Sequence, residues 1–175
     1  PYDPVQARKL LHQAGYPDGR GFPPIPLYST ISFVTHASFL QEQWQKELGI
    51  KIVPEIVTLP GLANYLSQNR PFIYIMGWLA DYPDPDNFLR LGLQSFSSNW
   101  QEPNFENLIR EARLIADHKK RLALYVQADK ILMNEAPILP LTYWPLHLLV
   151  KPWVRRFPTS AGKFWFWKDT ILNSH

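Results

Sequence analysis

Residues 77–89 read Gly-Trp-Leu-Ala-Asp-Tyr-Pro-Asp-Pro-Asp-Asn-Phe-Leu, and the three carboxylates of Asp81, Asp84 and Asp86 fall within six positions. Acids so close together suit a cation, acid–base work or the capping of a helix. Asp84 precedes Pro85, the pattern of an N-cap followed by proline at the first helical position. Asp86 then falls in the first turn, where the helix dipole favours a negative charge. Asp81 lies before the cap, in the loop leaving a predicted third strand, and admits two readings. Beside Trp78 and Tyr82 it suits a cationic ligand group such as a peptide α-amine, joining a charge-assisted bond to an aromatic wall. Equally, it is a turn residue bonding nearby backbone amides.

Other catalytic signatures are missing. The chain contains no G-x-S-x-G, no G-x-x-x-x-G-K-[ST] and no H-E-x-x-H. Gly15, Gly19 and Gly21 precede the first predicted strand, so they do not form a phosphate cradle after it. The histidines at 12, 36, 118, 147 and 175 have no close ligand spacing. Cysteine is absent, which removes disulfides, thiolate nucleophiles and thiolate-bound metals. No catalytic residue, metal site or cofactor is expected. A carboxylate-cluster hydrolase on Asp81, Asp84 and Asp86 is the main enzymatic alternative, and it requires two capping residues to face a pocket.

The chain has 175 residues, enough for one α/β domain with a proper core. Its 18 Lys plus Arg against 15 Asp plus Glu are scattered, unlike a nucleic-acid footprint. No apolar run approaches the ~18 residues of a membrane span. The chain opens Pro1-Tyr2-Asp3-Pro4, at a helix cap and without a basic start or apolar stretch, and is expected to be part of something longer. Seventeen prolines punctuate the ends of apolar segments. Trp144, Trp153, Trp165 and Trp167 make an aromatic-platform carbohydrate-binding module a further alternative.

These residues need elements to hold them. Asp3, Pro4 and Gln6 form a capping signal for a first helix that Gly15 ends. Strands are expected at 25–29, 50–57 and 71–76, with a helix from Thr35 to Leu48 between the first two, faced by Phe39, Leu40, Gln43 and Trp44. That β–α–β order implies a parallel pair. A short helix covers Leu59–Ser67. Further helices begin at Asp84, Asn104 and Asp117, and strands at 138–143 and 146–150 follow. The fold class is therefore α/β.

The 77–89 segment resembles the Gly-Trp-x-x-Asp-Tyr-x-Asp-Pro-x-Asn-Phe signature of extracellular solute-binding proteins of the dipeptide and oligopeptide family, family 5 of the ABC importers. Four further stretches match in order: Tyr2 to Gly19, Gln41 to Ile52, Asn134 to Pro137, and Leu149 to Val154. The resemblance covers nearly the whole chain and corresponds only to the carboxyl-terminal part of two-lobed proteins. It implies a periplasmic-binding-protein-like lobe with a mainly parallel sheet flanked by helices. Residues 1–136 would form most of the second lobe, and 137–175 would contain the return crossing toward the missing N-terminal lobe.

The resemblance also implies function. The acid at Asp81 would pair with a peptide's amino terminus, and Gly77, Trp78 and Leu79 would line the pocket, with Tyr82 alongside. Some oligopeptide binders carry Arg two residues before this Gly, where this chain has Ile75, so a peptide carboxylate is not met there. The family also takes nickel complexes, sugars and other solutes. The expected role is a non-catalytic, peptide-binding component of an ABC importer, without cofactor. It would be periplasmic or tethered to the outer face of the cytoplasmic membrane, with the transporter's membrane subunits as partners and no nucleic acid.

Overall fold

Asp3 begins the first helix as its sequence dictates: its carboxylate accepts from the Gln6 backbone N–H at 2.9 Å, and α1 runs Pro4–Gln13. The computed structural model describes residues 2–66, 73–95, 100–145, 147–158 and 167–174. The chain divides into two units, Pro1–Gly77 and Trp78–His175.

The first unit is the expected β–α–β arrangement. β1 (Ile25–Ser29) pairs in parallel with β2 (Ile52–Ile56), Ile25 opposite Ile52 and Ser29 opposite Ile56. β3 (Ile73–Tyr74) pairs in parallel with the other edge of β1, giving the order β2-β1-β3. Pro54 lies in β2, an edge strand, where its missing N–H costs no ladder bond. The sheet is shorter than the apolar runs suggested. Residues 50–51 and 57 lie outside β2, Ile75 and Met76 lie outside β3, and 71–72 are outside the described residues.

The connecting helix α2 (Val34–Leu48) follows a single 3₁₀ turn, Ile31–Phe33, and ends at left-handed Gly49. Its buried positions are Ala37 and Leu40, which join Leu27, Ile50, Ile52 and Ile75 in the core. Trp44 packs against that core, whereas Phe39 is exposed. The inward stripe therefore runs through Ala37, Leu40 and Trp44, the last two as expected, whereas Phe39, about 100° around the helix from Leu40, faces out. Gln41 Nε2 donates to the Ile52 carbonyl at 3.1 Å and fixes the helix to β2. α3 (Leu59–Leu66) follows β2.

The second unit is mainly helical. A π-helical turn, Asn87–Gly92, runs into α4 (Leu93–Ser95). α5 (Pro103–Ala112) is capped by Glu102, whose carboxylate accepts from Asn104 N–H, so the cap lies two residues before the expected Asn104. Pro103 then takes the first helical position, which suits its fixed φ and absent N–H. α6 (His118–Glu135) is capped by Asp117 as expected. Phe105, Ile109 and Ala112 of α5 meet Tyr125, Ala128 and Leu132 of α6, with Leu89, in one buried cluster.

The expected strands at 138–143 and 146–150 do not form. Residues 138–145 and 147–150 carry no regular structure, and Leu146 is outside the described residues. Pro140 and Pro145 remove two donors, and a strand needs a partner edge that no described residue provides here. Tyr143 and Leu149 are fully exposed. Beyond them, β4 (Val154–Arg155) and β5 (Ile171–Leu172) form a short antiparallel ribbon.

Candidate functional site

The carboxylate-rich segment opens the second unit. Helical geometry begins at Pro85, and Asp84 caps it: Asp84 Oδ1 accepts from the Asp86 backbone N–H at 3.0 Å. The other Asp84 oxygen meets Arg121 of α6 at 2.7 Å.

Asp86 is almost wholly buried and fully engaged. Its carboxylate accepts from Arg90 Nε at 2.9 Å and from Arg90 Nη2, and from the Tyr82 hydroxyl at 2.6 Å. Arg113, just past α5, brings its Nε to 3.9 Å. The Arg90 hydrogen bonds hold the Asp86 carboxyl below the usual carboxylate range, overcoming the opposing effect of burial. Burial and then the Asp86 hydrogen bond push the Tyr82 hydroxyl up. Burial, with the charges of Asp86 and Asp84, does the same to Tyr125.

Together Tyr82, Asp84, Asp86, Arg90, Arg113, Arg121 and Tyr125 line a cavity of about 320 Å³. It is a structural ion-pair network. A carboxylate held ionised by arginine cannot donate a proton at neutral pH, so Asp86 is no general acid. No group of three His, Cys, Asp or Glu suited to a metal occurs among the described residues. The hydrolase reading loses two of its three acids.

The other expected site residues lie in the same segment. Asp81, Leu79 and Tyr82 are exposed, Trp78 is partly so, and Gly77 ends the first unit. A Cβ on Gly77 would lie 3.2 Å from Phe33 Cζ, so Phe33 rests over this glycine. Trp78 Nε1–H donates to Asn87 Oδ1 at 2.7 Å, and the Asp81 backbone N–H donates to the same oxygen at 3.2 Å. Ile75 is buried in the first unit's core, its N–H bonded to Tyr28 O at 2.9 Å. Position 75 thus offers a ligand no charge.

Two features escaped the sequence reading. Asn87 carried no signal beyond its place in the motif, since its importance depends on burial. In the first unit, the carboxyl ends of β1 and β2 open on a cavity of about 480 Å³ lined by Thr30, Ile31, Ser32, Ile56, Val57 and Leu59, among others. Strand carboxyl ends are the usual ligand position in open α/β sheets, which could have pointed to these loops.

Of the four tryptophans offered as a platform, Trp144 and Trp167 are exposed. Trp167 meets Phe157 edge-on at 5.1 Å, Lys151 stands over Trp153, and Trp165 is outside the described residues.

Comparison with known proteins decides the family. The profile of bacterial extracellular solute-binding proteins, family 5 (middle region), matches residues 1–100, more than half of the chain. The chain belongs to this family. It is 30% identical over 153 residues to the periplasmic oligopeptide-binding protein OppA of Salmonella typhimurium, covering 85% of this chain and 28% of that protein. It is also 30% identical to the probable deoxycholate-binding periplasmic protein YgiS of Escherichia coli, covering 98% of this chain and 33% of that one. The solved structure of the Escherichia coli murein tripeptide-binding protein MppA superposes with a TM-score of 0.81 at 25% identity, covering 98% of this chain and 35% of that one. The family 5 chain described here therefore spans about a third of the length of these relatives. The α/β fold with a parallel sheet agrees with theirs.

Proposed function

We propose that this family 5 chain supplies one lobe of a peptide-binding component of an ABC importer. Residues 1–136 form most of that second lobe, and 137–175 carry the return crossing toward an N-terminal lobe. The protein works outside the cytoplasmic membrane, in the periplasm or tethered to its outer face, and hands solute to the transporter's membrane subunits. It binds without catalysis and without a cofactor.

The observation that carries the peptide reading is the exposed Asp81 beside Trp78, in the loop that follows β3 and within the family signature. Asp81 receives the ligand's α-amine, while Trp78, Tyr82, Leu79 and the bare backbone of Gly77 border the ligand. The exposed side chains of residues 139–145 and 147–150 favour the crossing, because apolar groups such as Tyr143 and Leu149 lie uncovered here. A buried Ile75 leaves the peptide's carboxylate to be met elsewhere, or the ligand to lack one.

The test is calorimetry on the protein carrying both lobes, with a free and an N-acetylated dipeptide. In a closed cleft, removing the acid leaves an amine buried and unpaired, at a cost of about 2–5 kcal/mol. Asp81→Ala is expected to weaken the free dipeptide at least about tenfold, and acetylation to do the same to the parent. In the 175-residue chain alone the ion pair stays in water and is worth only ~0–1 kcal/mol, so Asp81→Ala changes little. Equal binding of both peptides, unaffected by Asp81→Ala, would make Asp81 a turn residue.

A further inference from the structure

Asn87 is completely buried at the start of the π-helical turn, and its amide oxygen gathers both anchors of the Trp78–Asp81 stretch. The indole N–H of Trp78 and the backbone N–H of Asp81 both donate to Oδ1, at 2.7 and 3.2 Å. Those two donors settle which end of the amide faces them, because each requires an acceptor. The Nδ2 group is buried as well.

We propose that Asn87 is the positioning residue of the ligand-binding stretch, acting through its carbonyl oxygen on Trp78 and Asp81. This rests on the reading of Trp78 and Asp81 as ligand contacts. An indole has one donor, so a bond at Nε1 selects one orientation of the ring. The ring also lies over Gly92, whose Cβ, if present, would stand 3.6 Å from Trp78 Cγ. Fixing the Asp81 amide fixes the peptide plane from which its side chain departs. Both donors converge on Oδ1, whereas the amide's N–H end is the one that acts on the Tyr82 hydroxyl, drawing its pKa down against the larger effect of burial. The oxygen is therefore the part of Asn87 the site needs.

That logic predicts opposite outcomes for two variants of nearly the same shape. Asn87→Asp keeps an acceptor for both N–H groups, although it places a carboxylate at a fully buried position, and the neighbouring acids Asp84 and Asp86 are already paired with Arg121 and Arg90. Asn87→Leu keeps the branched shape in a larger side chain and loses the acceptor. A packing role favours Leu over Asp; a positioning role favours Asp over Leu.

The experiment is solvent exchange of the Trp78 indole N–H and the Asp81 amide by NMR in the 175-residue chain, with Trp78→Phe identifying the indole signal and the Leu132 amide of α6 as control. Asn87→Leu is expected to speed exchange at both sites at least about tenfold while Leu132 is unchanged, and Asn87→Asp to stay within about threefold of the parent. Undisturbed protection in Asn87→Leu, or loss of protection at both sites in Asn87→Asp while Leu132 is unchanged, overturns the proposal. If Asn87→Leu fails to fold, Asn87→Asp decides alone by the same criterion. Free and N-acetylated dipeptide titrated into the parent two-lobed protein test the ligand reading separately: equal binding there defeats Asp81 as an amine receptor and leaves the exchange result to judge Asn87.

Discussion

Gly19 and Gly49 stand backbone to backbone: Gly49 fills the space where a Gly19 side chain would go, and the Asp18 carbonyl fills that of Gly49. A Cβ on Gly19 would lie 2.6 Å from the Gly49 carbonyl oxygen, and one on Gly49 would lie 2.5 Å from the Asp18 oxygen. Both residues have positive φ, +73° and +68°. The turn after α1 is thus locked onto the left-handed end of α2, whose last N–H, that of Gly49, bonds to Gln45 O.

Alanine at position 49 should therefore carry two penalties, left-handed strain and overlap with rigid backbone. Gly49→Ala is expected to destabilise the chain by about 2–4 kcal/mol in urea unfolding followed by circular dichroism. Gly77→Ala is the contrast. Its new Cβ meets only the end of the Phe33 ring, which can move, so the loss should stay under about 1 kcal/mol.

Acid should weaken the second unit through Asp86. Its folded carboxyl is held low by Arg90, so it contributes stability that is complete above the unfolded value of about 3.9. That contribution is lost as pH falls below that value and through the folded one. Asp86→Asn is expected to cost about 1.5–3 kcal/mol at neutral pH, the range for hydrogen bonds to a charged group. Its stability should then fall less steeply than the parent's between neutral pH and acid, when thermal unfolding is followed across that range.

Alkali should act through Tyr125 in the opposite sense. Its folded pKa is raised by burial, so the neutral hydroxyl favours the fold up to an unfolded value of about 10. Stability should be lost as pH rises from there through the folded value. Tyr125→Phe should flatten the alkaline limb of the stability curve.

The α5–α6 contact is the main apolar seam of the second unit, and Leu132 is 2% exposed within it. Leu132→Ala should cost about 2–5 kcal/mol, the range for emptying a packed site. Urea unfolding and loss of amide protection along α6 both report it.

Capping should be worth less. Asp117 Oδ1 accepts from Lys120 N–H at 3.1 Å at an exposed helix start. Asp117→Ala is expected to lose about 0.5–2 kcal/mol, and Asp117→Asn to recover most of it, by the same unfolding measurement.

What the sequence determined on its own is whatever a few neighbouring residues decide. Asp3-Pro4 and Asp117 set helix starts because an N-cap bonds an amide two or three positions away. Gly49 ends α2 because only its own backbone must turn left-handed. The apolar runs at 25–29 and 50–57 declared strands, and the helix between them required a parallel crossover. Asp84 was readable as a cap for the same local reason. Tertiary structure decided everything that depends on distant chain. Arg113, just past α5, and Arg121 of α6 converge with Arg90 on two acids and tie them into ion pairs. Asn87 became central only because the fold buries it under Trp78 and Asp81. The apolar run after Pro137 looked like strands, yet strand pairing needs a second edge, and no described residue provides one. Local dihedral preference and capping are written in adjacent residues, whereas burial, ion pairing and strand pairing exist only once the chain has brought separate segments together.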